Sequence, residues 1–193
     1  LEAATVFDPT EPSTAASNMP TEGTIRFNSC APTGHAWLMV TGECSEQRGP
    51  TLCEGILWLK AKGQDARPVT ALSQLGPPKI AGNTIYWHTL VGDRVDINRV
   101  NFDEMVPTTV VKSMSDPIPI QNGSSLIVRR WEGERSRVTM VDPTTSAEGE
   151  VSNPPGGRPG VPVANEKWIA WVMNQESTYV WVVPIDSVRT GGF

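Results

Sequence analysis

Between Lys167 and Pro184 the chain reads KWIAWVMNQESTYVWVVP, two apolar runs either side of a short polar turn. In an extended strand Trp168, Ala170 and Val172 share one face, and Ile169, Trp171 and Met173 share the other. The returning run alternates Tyr179, Trp181 and Val183 against Val180 and Val182. Both faces are apolar, so both need cover. The pattern predicts a hairpin inside a sandwich or barrel, or at a subunit contact. Its β-branched and aromatic content favours strand over helix.

The period of two recurs upstream. Thr24–Ser29 and His35–Thr41 read as strands joined by Ala31-Pro32-Thr33-Gly34, and Glu54–Ala61 as a third. Arg67–Leu75 reads as strand then loop, ended by Gly76-Pro77-Pro78. Thr84–Val91 and Arg94–Asn101 flank Gly92-Asp93, a two-residue turn with glycine first, as a type II′ hairpin prefers. That turn sets Val91 opposite Arg94, Leu90 opposite Val95, His88 opposite Ile97 and Trp87 opposite Asn98. It predicts a core face of Tyr86, His88, Leu90, Val95 and Ile97, with Arg99 at its end. The other face carries Trp87, Thr89, Val91, Arg94, Asp96 and Asn98 and is mostly polar.

Glu104–Gln121 holds three prolines and reads as a connection with one edge strand. Ser124–Trp131 and Arg135–Val141 form a second predicted hairpin around Glu132-Gly133-Glu134. A three-residue loop places Val128 opposite Val138 and Leu126 opposite Met140, which makes one coherent apolar side. A two-residue loop mixes apolar and charged positions on both sides, so the three-residue loop is expected. Ile127, Arg129, Trp131, Arg135, Arg137 and Thr139 then share the opposite face. Asp142–Val163 is a long low-apolar segment, the kind that is functional or mobile in a compact domain. No internal repeat is evident along the sequence.

This layout predicts an all-β protein, an antiparallel β-barrel or β-sandwich with long Gly/Pro-rich loops. The 17 glycines and 17 prolines in 193 residues agree with many short strands and turns. Leu1–Thr21, rich in Pro, Ser, Thr, Ala and Glu, is expected to be a flexible lead-in arm, and residues 22–193 a single domain. The net charge of −5 disfavours nucleic acid as a partner. The longest apolar run falls far below the ~20 residues of a membrane span, so no membrane insertion is expected. No basic-then-apolar segment opens the chain, so no signal peptide is expected. The three cysteines are odd in number and are expected as reduced thiols. A Cys44–Cys53 disulfide closing the loop Ser45–Leu52 is the alternative.

Catalytic chemistry finds little footing. A nucleophile needs a histidine base in reach, and only His35 and His88 exist. His88 falls on a core face. His35 follows a turn and would need partners such as Asp93 and Ser124. No Gly-x-Ser-x-Gly surrounds a serine, and Asn122-Gly123-Ser124-Ser125 reads better as a turn with a glycosylation sequon. An enzyme is therefore not expected. Neither the histidines and cysteines nor Asp93/Asp96 and Asp142/Glu148/Glu150 have metal-site spacing, and Gly156-Gly157-Arg158-Pro159-Gly160 lacks the lysine and helix of a phosphate loop. No metal or cofactor is expected.

Two surfaces are candidates for binding. Arg129, Trp131, Arg135 and Arg137 would form a basic patch around an indole, suited to carboxylate or sulfate. Trp87 with Asp96 and Asn98 would pair an aromatic platform with acidic and amide groups, suited to a sugar.

The Pro/Ser/Thr-rich lead-in, short Trp-bearing strands such as HAWLMV, GILWLK and KWIAWVM, and the Gly/Pro loops span Thr21 to about Arg189. In these features the chain resembles the capsid spike or protruding domain of a non-enveloped RNA virus. The astrovirus capsid spike is the nearest in style, with calicivirus and hepatitis E virus protruding domains beside it. The resemblance implies a β-barrel-like homodimer on the virion surface, assembled in the host cytoplasm. It further implies attachment to a host cell-surface receptor or glycan, and recognition by neutralising antibodies. It assigns no site residues. The alternatives are a carbohydrate-binding module or lectin, and a β-barrel hydrolase using His35.

Overall fold

A computed structural model describes residues 23–46, 50–104, 106–132, 135–151, 153–154, 158–174 and 178–190. The expected lead-in arm lies outside the described residues. The protein is all-β, and every strand pairing is antiparallel. Two single-turn 3-10 segments, Gln121–Gly123 and Ile185–Ser187, interrupt the described strands.

The strands form four successive meanders. The first comprises β1 (Thr24–Ala31), β2 (Gly34–Glu46), β3 (Thr51–Ala61), β4 (Arg67–Pro68) and β5 (Ser73–Leu75). The second comprises β6 (Lys79–Ala81), β7 (Thr84–Val91), β8 (Arg94–Asn101) and β9 (Thr108–Val111). β5 pairs with both β3 and β7, so these two meanders run into one nine-stranded sheet. The third is β10 (Met114–Ile120), β11 (Ser125–Glu132), β12 (Arg135–Val141) and β13 (Glu148–Glu150). The fourth is β14 (Arg158–Pro159), β15 (Val163–Ala164), β16 (Trp168–Asn174) and β17 (Thr178–Pro184), after which β18 (Arg189–Thr190) returns to pair with β13.

The meanders adjoin in sequence through β1 against β6, β6 against β10 and β10 against β15. The central hairpins begin at Gly34, Thr84, Ser125 and Trp168, spacings of roughly 40–50 residues, the period of propeller blades. The molecule is therefore a row of repeated sheets packed face to face in a β-propeller-like manner. The repeat is architectural. Different residues fill each interface, which is why the sequence shows no period.

Three apolar layers separate the four meanders, each a sheet in itself, the first two linked through β5. Ala36, Leu38, Val40, Leu57 and Leu59 of the first pack against Ile85, Trp87 and Val100 of the second. The reverse face of the second, with Tyr86 and Ile97, meets Met114, Leu126, Val128 and Val141 of the third. The third then turns Ile120, Ile127 and Val138 towards Ile169, Trp171, Met173 and Val183 of the fourth. Behind the first sheet lies a smaller cluster, where Trp37 stacks on Trp58 with centroids 6.4 Å apart beside Met39.

The hairpin β7–β8 has the register that its Gly92-Asp93 turn predicts, from Val91 opposite Arg94 to Trp87 opposite Asn98. Gly92 adopts φ 64°, the left-handed region that a turn with glycine first requires. Its expected polar face is corrected, however. Trp87 is 1% exposed and Asp96 is buried, because a second sheet covers that side.

The register of β11–β12 is also corrected. Trp131 pairs with Ser136, Arg129 with Val138 and Leu126 with Val141, one residue away from the three-residue-loop alignment. Arg129 and Trp131 therefore share a face with Ser136 and Val138, while Arg135 and Arg137 point to the opposite side. The expectation of one wet face failed because this sheet is covered on both.

Two further differences concern chain chemistry. Glu104–Gln121 supplies two strands, and β10 carries Pro117 and Pro119 at a sheet edge where no ladder N–H is required on the free side. Cys44 and Cys53 are disulfide-bonded across β2 and β3, and Cys30 is free and exposed.

Candidate interaction surface

The buried charges form a thread through all four sheets. In β10 the ladder shifts register between Ser115 and Ile118, and Asp116 takes φ 54° just before Pro117. Asp tolerates this left-handed conformation better than most residues, yet such positions cost on the order of 1–3 kcal/mol. The bulge turns the Asp116 carboxylate inward. Its Oδ2 accepts from Arg129 Nε at 2.9 Å and from Ser115 Oγ at 2.8 Å. Arg129 Nη2 lies 2.6 Å from the same oxygen, off the line of a hydrogen bond. Arg129 Nη1 donates to Pro159 O in the fourth sheet at 3.2 Å. The guanidinium sits 4.8 Å over the Trp131 ring, and Trp131 Nε1 donates to Ser115 Oγ at 3.0 Å.

On the other side, the Asp116 backbone N–H donates to His88 Nδ1 at 3.3 Å. That fixes the tautomer. Nδ1 must accept, so Nε2 carries the proton and donates to Thr51 O of the first sheet at 3.3 Å. Burial holds His88 below the ordinary histidine range, partly opposed by the Asp116 carboxylate and reinforced by Arg129. Its role is that of a neutral bridge between sheets.

These contacts reassign the basic patch. Arg129 is 4% exposed and cannot meet a ligand, while Trp131 is half-buried beneath it. Arg135 and Arg137 are exposed on the opposite face, beside Arg130, which pairs with Glu148. The four residues expected to make one attachment surface are split between two faces. The sugar surface dissolves likewise. Asp96 accepts from Arg94 Nε at 3.0 Å and from the Ser113 N–H at 3.0 Å, and Asn98 bridges Thr89 and Thr109. His35 faces Cys30 across β1–β2, its Nδ1 3.1 Å from Cys30 Sγ, and Ser124 Oγ donates to Gln121 O.

Two surfaces remain open. The first is a groove of about 400 Å3 at the outer part of the third sheet, lined by Arg137, Thr139, Glu148, Glu150 and Asn153. Asn153 fixes its wall by accepting the Val138 N–H and donating to Val138 O and Val151 O.

The second is the far face of the fourth sheet. In the β16–β17 register Trp168 lies opposite Pro184, Ala170 opposite Val182 and Val172 opposite Val180, with Val163 of β15 opposite Ala170. None of these side chains is charged. Val163 and Val180 are each 64% exposed, Val182 53%, Trp168 48% and Val172 41%. The reverse face of the same hairpin, with Ile169, Trp171, Met173 and Val183, is buried. These side chains form one contiguous exposed apolar patch. The sequence signalled it: the hairpin is apolar on both faces and one neighbouring sheet covers one of them.

The fold and these surfaces define an all-β protein of stacked meanders with an open apolar end face. Comparison with protein-family models and with curated proteins returns no match. Solved structures do match in fold. TolB from Acinetobacter baumannii aligns with TM-score 0.63 at 12% identity, over 86% of this chain and 42% of that one. A TolB-type protein from Agrobacterium tumefaciens aligns with TM-score 0.57 at 12% identity, over 83% and 74%. The acylaminoacyl peptidase of Pyrococcus horikoshii aligns with TM-score 0.58 at 9% identity, over 86% and 32%. The chain thus spans less than half of the first of these relatives. None of the three is described as a capsid protein, and identities this low speak for the fold alone.

Proposed function

We propose that this domain is a surface-displayed binding module, and that its particular form is the one the sequence resemblance implies, a virion protruding domain that attaches to a host receptor or glycan. The observation that carries the binding reading is the uncharged, exposed face of the fourth sheet, an energetically costly surface for a module that works alone. The histidine, carboxylate and guanidinium that would serve catalysis best are engaged in inter-sheet bonds, which supports binding over turnover. The test is attachment of the purified domain to a panel of cell lines and a glycan array. Saturable binding, blocked by antibodies raised against the domain, is expected. A folded domain that binds no cell and no glycan would overturn the reading.

The second reading is a carbohydrate-binding module of cellular origin, favoured by the polar groove. Arg137, Glu148 and Glu150 offer donors and acceptors there, as sugar hydroxyls require. Arg137→Glu and Glu150→Lys would each abolish glycan binding under this reading and leave binding to a protein receptor intact.

A further inference from the structure

We infer that Cys30, with His35 as its base, is a thiol-modification site that takes up low-molecular-weight, negatively charged disulfides.

The site is a row of three residues across the first sheet. In the β1–β2 register Cys30 lies opposite His35, and in the β2–β3 register His35 lies opposite Lys60. Directly opposed residues of an antiparallel ladder project to one face, so a thiol, an imidazole and an ammonium stand side by side. His35 Nδ1 lies 3.1 Å from Cys30 Sγ. With the ring proton on Nε2 the thiol donates to Nδ1, which is the reach a nucleophile needs from its base. Cys30 is exposed, and among the described residues β1 pairs with β2 only, so the thiol is open to a reagent at the sheet edge.

The hairpin end that carries the pair is anchored on two sides. The Lys62 N–H donates to Thr33 O at 3.0 Å, and Thr33 Oγ1 donates to Gly82 O of the second meander at 2.7 Å. Ser29 Oγ, adjacent to the thiol in sequence, accepts the Ile80 N–H at 3.3 Å. These bonds fix the backbone around the pair and keep sulfur and base in reach of one another.

An independent observation points to disulfide chemistry. Cys44 and Cys53 are bonded to each other, and Cys30 is the third cysteine left over. With the other two sulfurs committed, Cys30 has no resolving thiol in its own chain, so a mixed disulfide formed there persists.

In the step itself, the Sγ proton passes to His35 Nδ1 as Cys30 attacks one sulfur of the reagent. A new S–S bond forms to Cys30, and the reagent's own S–S bond breaks with its electron pair on the departing sulfur. That thiolate takes the proton back from Nδ1 and leaves as a thiol. The reagent disulfide is the oxidant, and one small thiol is released for each protein thiol consumed. Lys60 sets the charge preference, because its ammonium draws anionic reagents and repels cationic ones.

The rate of mixed-disulfide formation on the folded, non-reduced chain tests the inference. Glutathione disulfide is the anionic probe and cystamine the cationic one. A free peptide of residues 26–33, which contains Cys30 and lacks His35, is the reference for each. Mass spectrometry should find one adduct on the folded chain and none on Cys30→Ser. With glutathione disulfide, folded Cys30 should react at least about tenfold faster than the peptide. His35→Gln should remove that advantage, with unchanged circular dichroism and melting. The ratio of folded to peptide rate should be larger for glutathione disulfide than for cystamine, and Lys60→Gln should narrow the difference by about twofold at low salt. A folded thiol no faster than the peptide overturns the inference whether or not the variants fold, as does a His35→Gln protein that reacts like wild type. Equal ratios for the two probes overturn the anionic preference.

Discussion

Arg129 Nε lies 2.9 Å from Asp116 Oδ2, and both side chains are nearly excluded from solvent. The pair joins two strands that are adjacent in one sheet, and through Pro159 O and His88 it reaches the sheets on both sides. Removing one partner strands the other. Asp116→Ala should cost about 3–5 kcal/mol, the range for an uncompensated buried charge. The double variant Asp116→Ala/Arg129→Met should cost far less than Asp116→Ala and Arg129→Met together, because no charge is left buried. Chemical denaturation of the four proteins gives the cycle. Additive losses would mean that the pair is not coupled.

His88 links stability to pH. The folded protein holds the imidazole neutral, with a pKa below the ordinary value of about 6.5, while the unfolded chain titrates near that value. The unfolded state therefore binds more protons in this window. The contribution is fully present above about 6.5 and is lost as pH falls through the folded value. Urea unfolding at pH 7.5, 6.5 and 5.5 should show decreasing stability, and His88→Gln should flatten that slope. Asp142 acts in a separate window. The N–H groups of Thr144 and Thr145 hold its carboxyl below the usual range, so its contribution fades only in strong acid.

The two hairpins of the middle sheets show what a sequence can and cannot settle here. For β7–β8 the Gly92-Asp93 turn fixes the register by backbone geometry, and neighbours do not alter it. For β11–β12 the register expected from the sequence rests on which side is dry, and that criterion presumes a single wet face. Leu126 and Val128 face the second sheet while Ile127 and Val138 face the fourth, so both sides are apolar and the criterion selects the wrong alignment. Arg129 reads as surface for a related reason. Its partner Asp116 sits on another strand at a bulge that no local pattern announces. The end face was legible because the Lys167–Pro184 pattern depends on residue type alone.

The Cys44–Cys53 bond spans ten residues of chain and closes the far end of β2–β3. Loop-closure entropy for so short a loop corresponds to about 2–3 kcal/mol. In a Cys30→Ser background, which removes the one free exposed thiol among the described residues, reductant should lower the melting temperature. Unchanged melting with complete thiol labelling of both cysteines would show that the bond does not contribute.

Gly76 gives the sharpest steric test, and it bears on the same histidine. The residue follows β5 and its N–H donates to His88 O at 2.8 Å. A Cβ placed there would lie 1.9 Å from His88 Nε2 and 2.1 Å from Cε1, well inside contact distance. The ring cannot swing away, because Nδ1 is held by the Asp116 N–H and Nε2 by Thr51 O. Overpacking usually costs 1–3 kcal/mol, and the loss of the His88 bridge adds to it, so Gly76→Ala should destabilise by roughly 3 kcal/mol or more. The cause can be separated from any backbone effect of the alanine. His88→Ala empties the space the new methyl needs, so Gly76→Ala should cost much less in that background than in the wild type. An equal cost in both backgrounds would place the effect in the chain leaving β5 and not in contact with the imidazole.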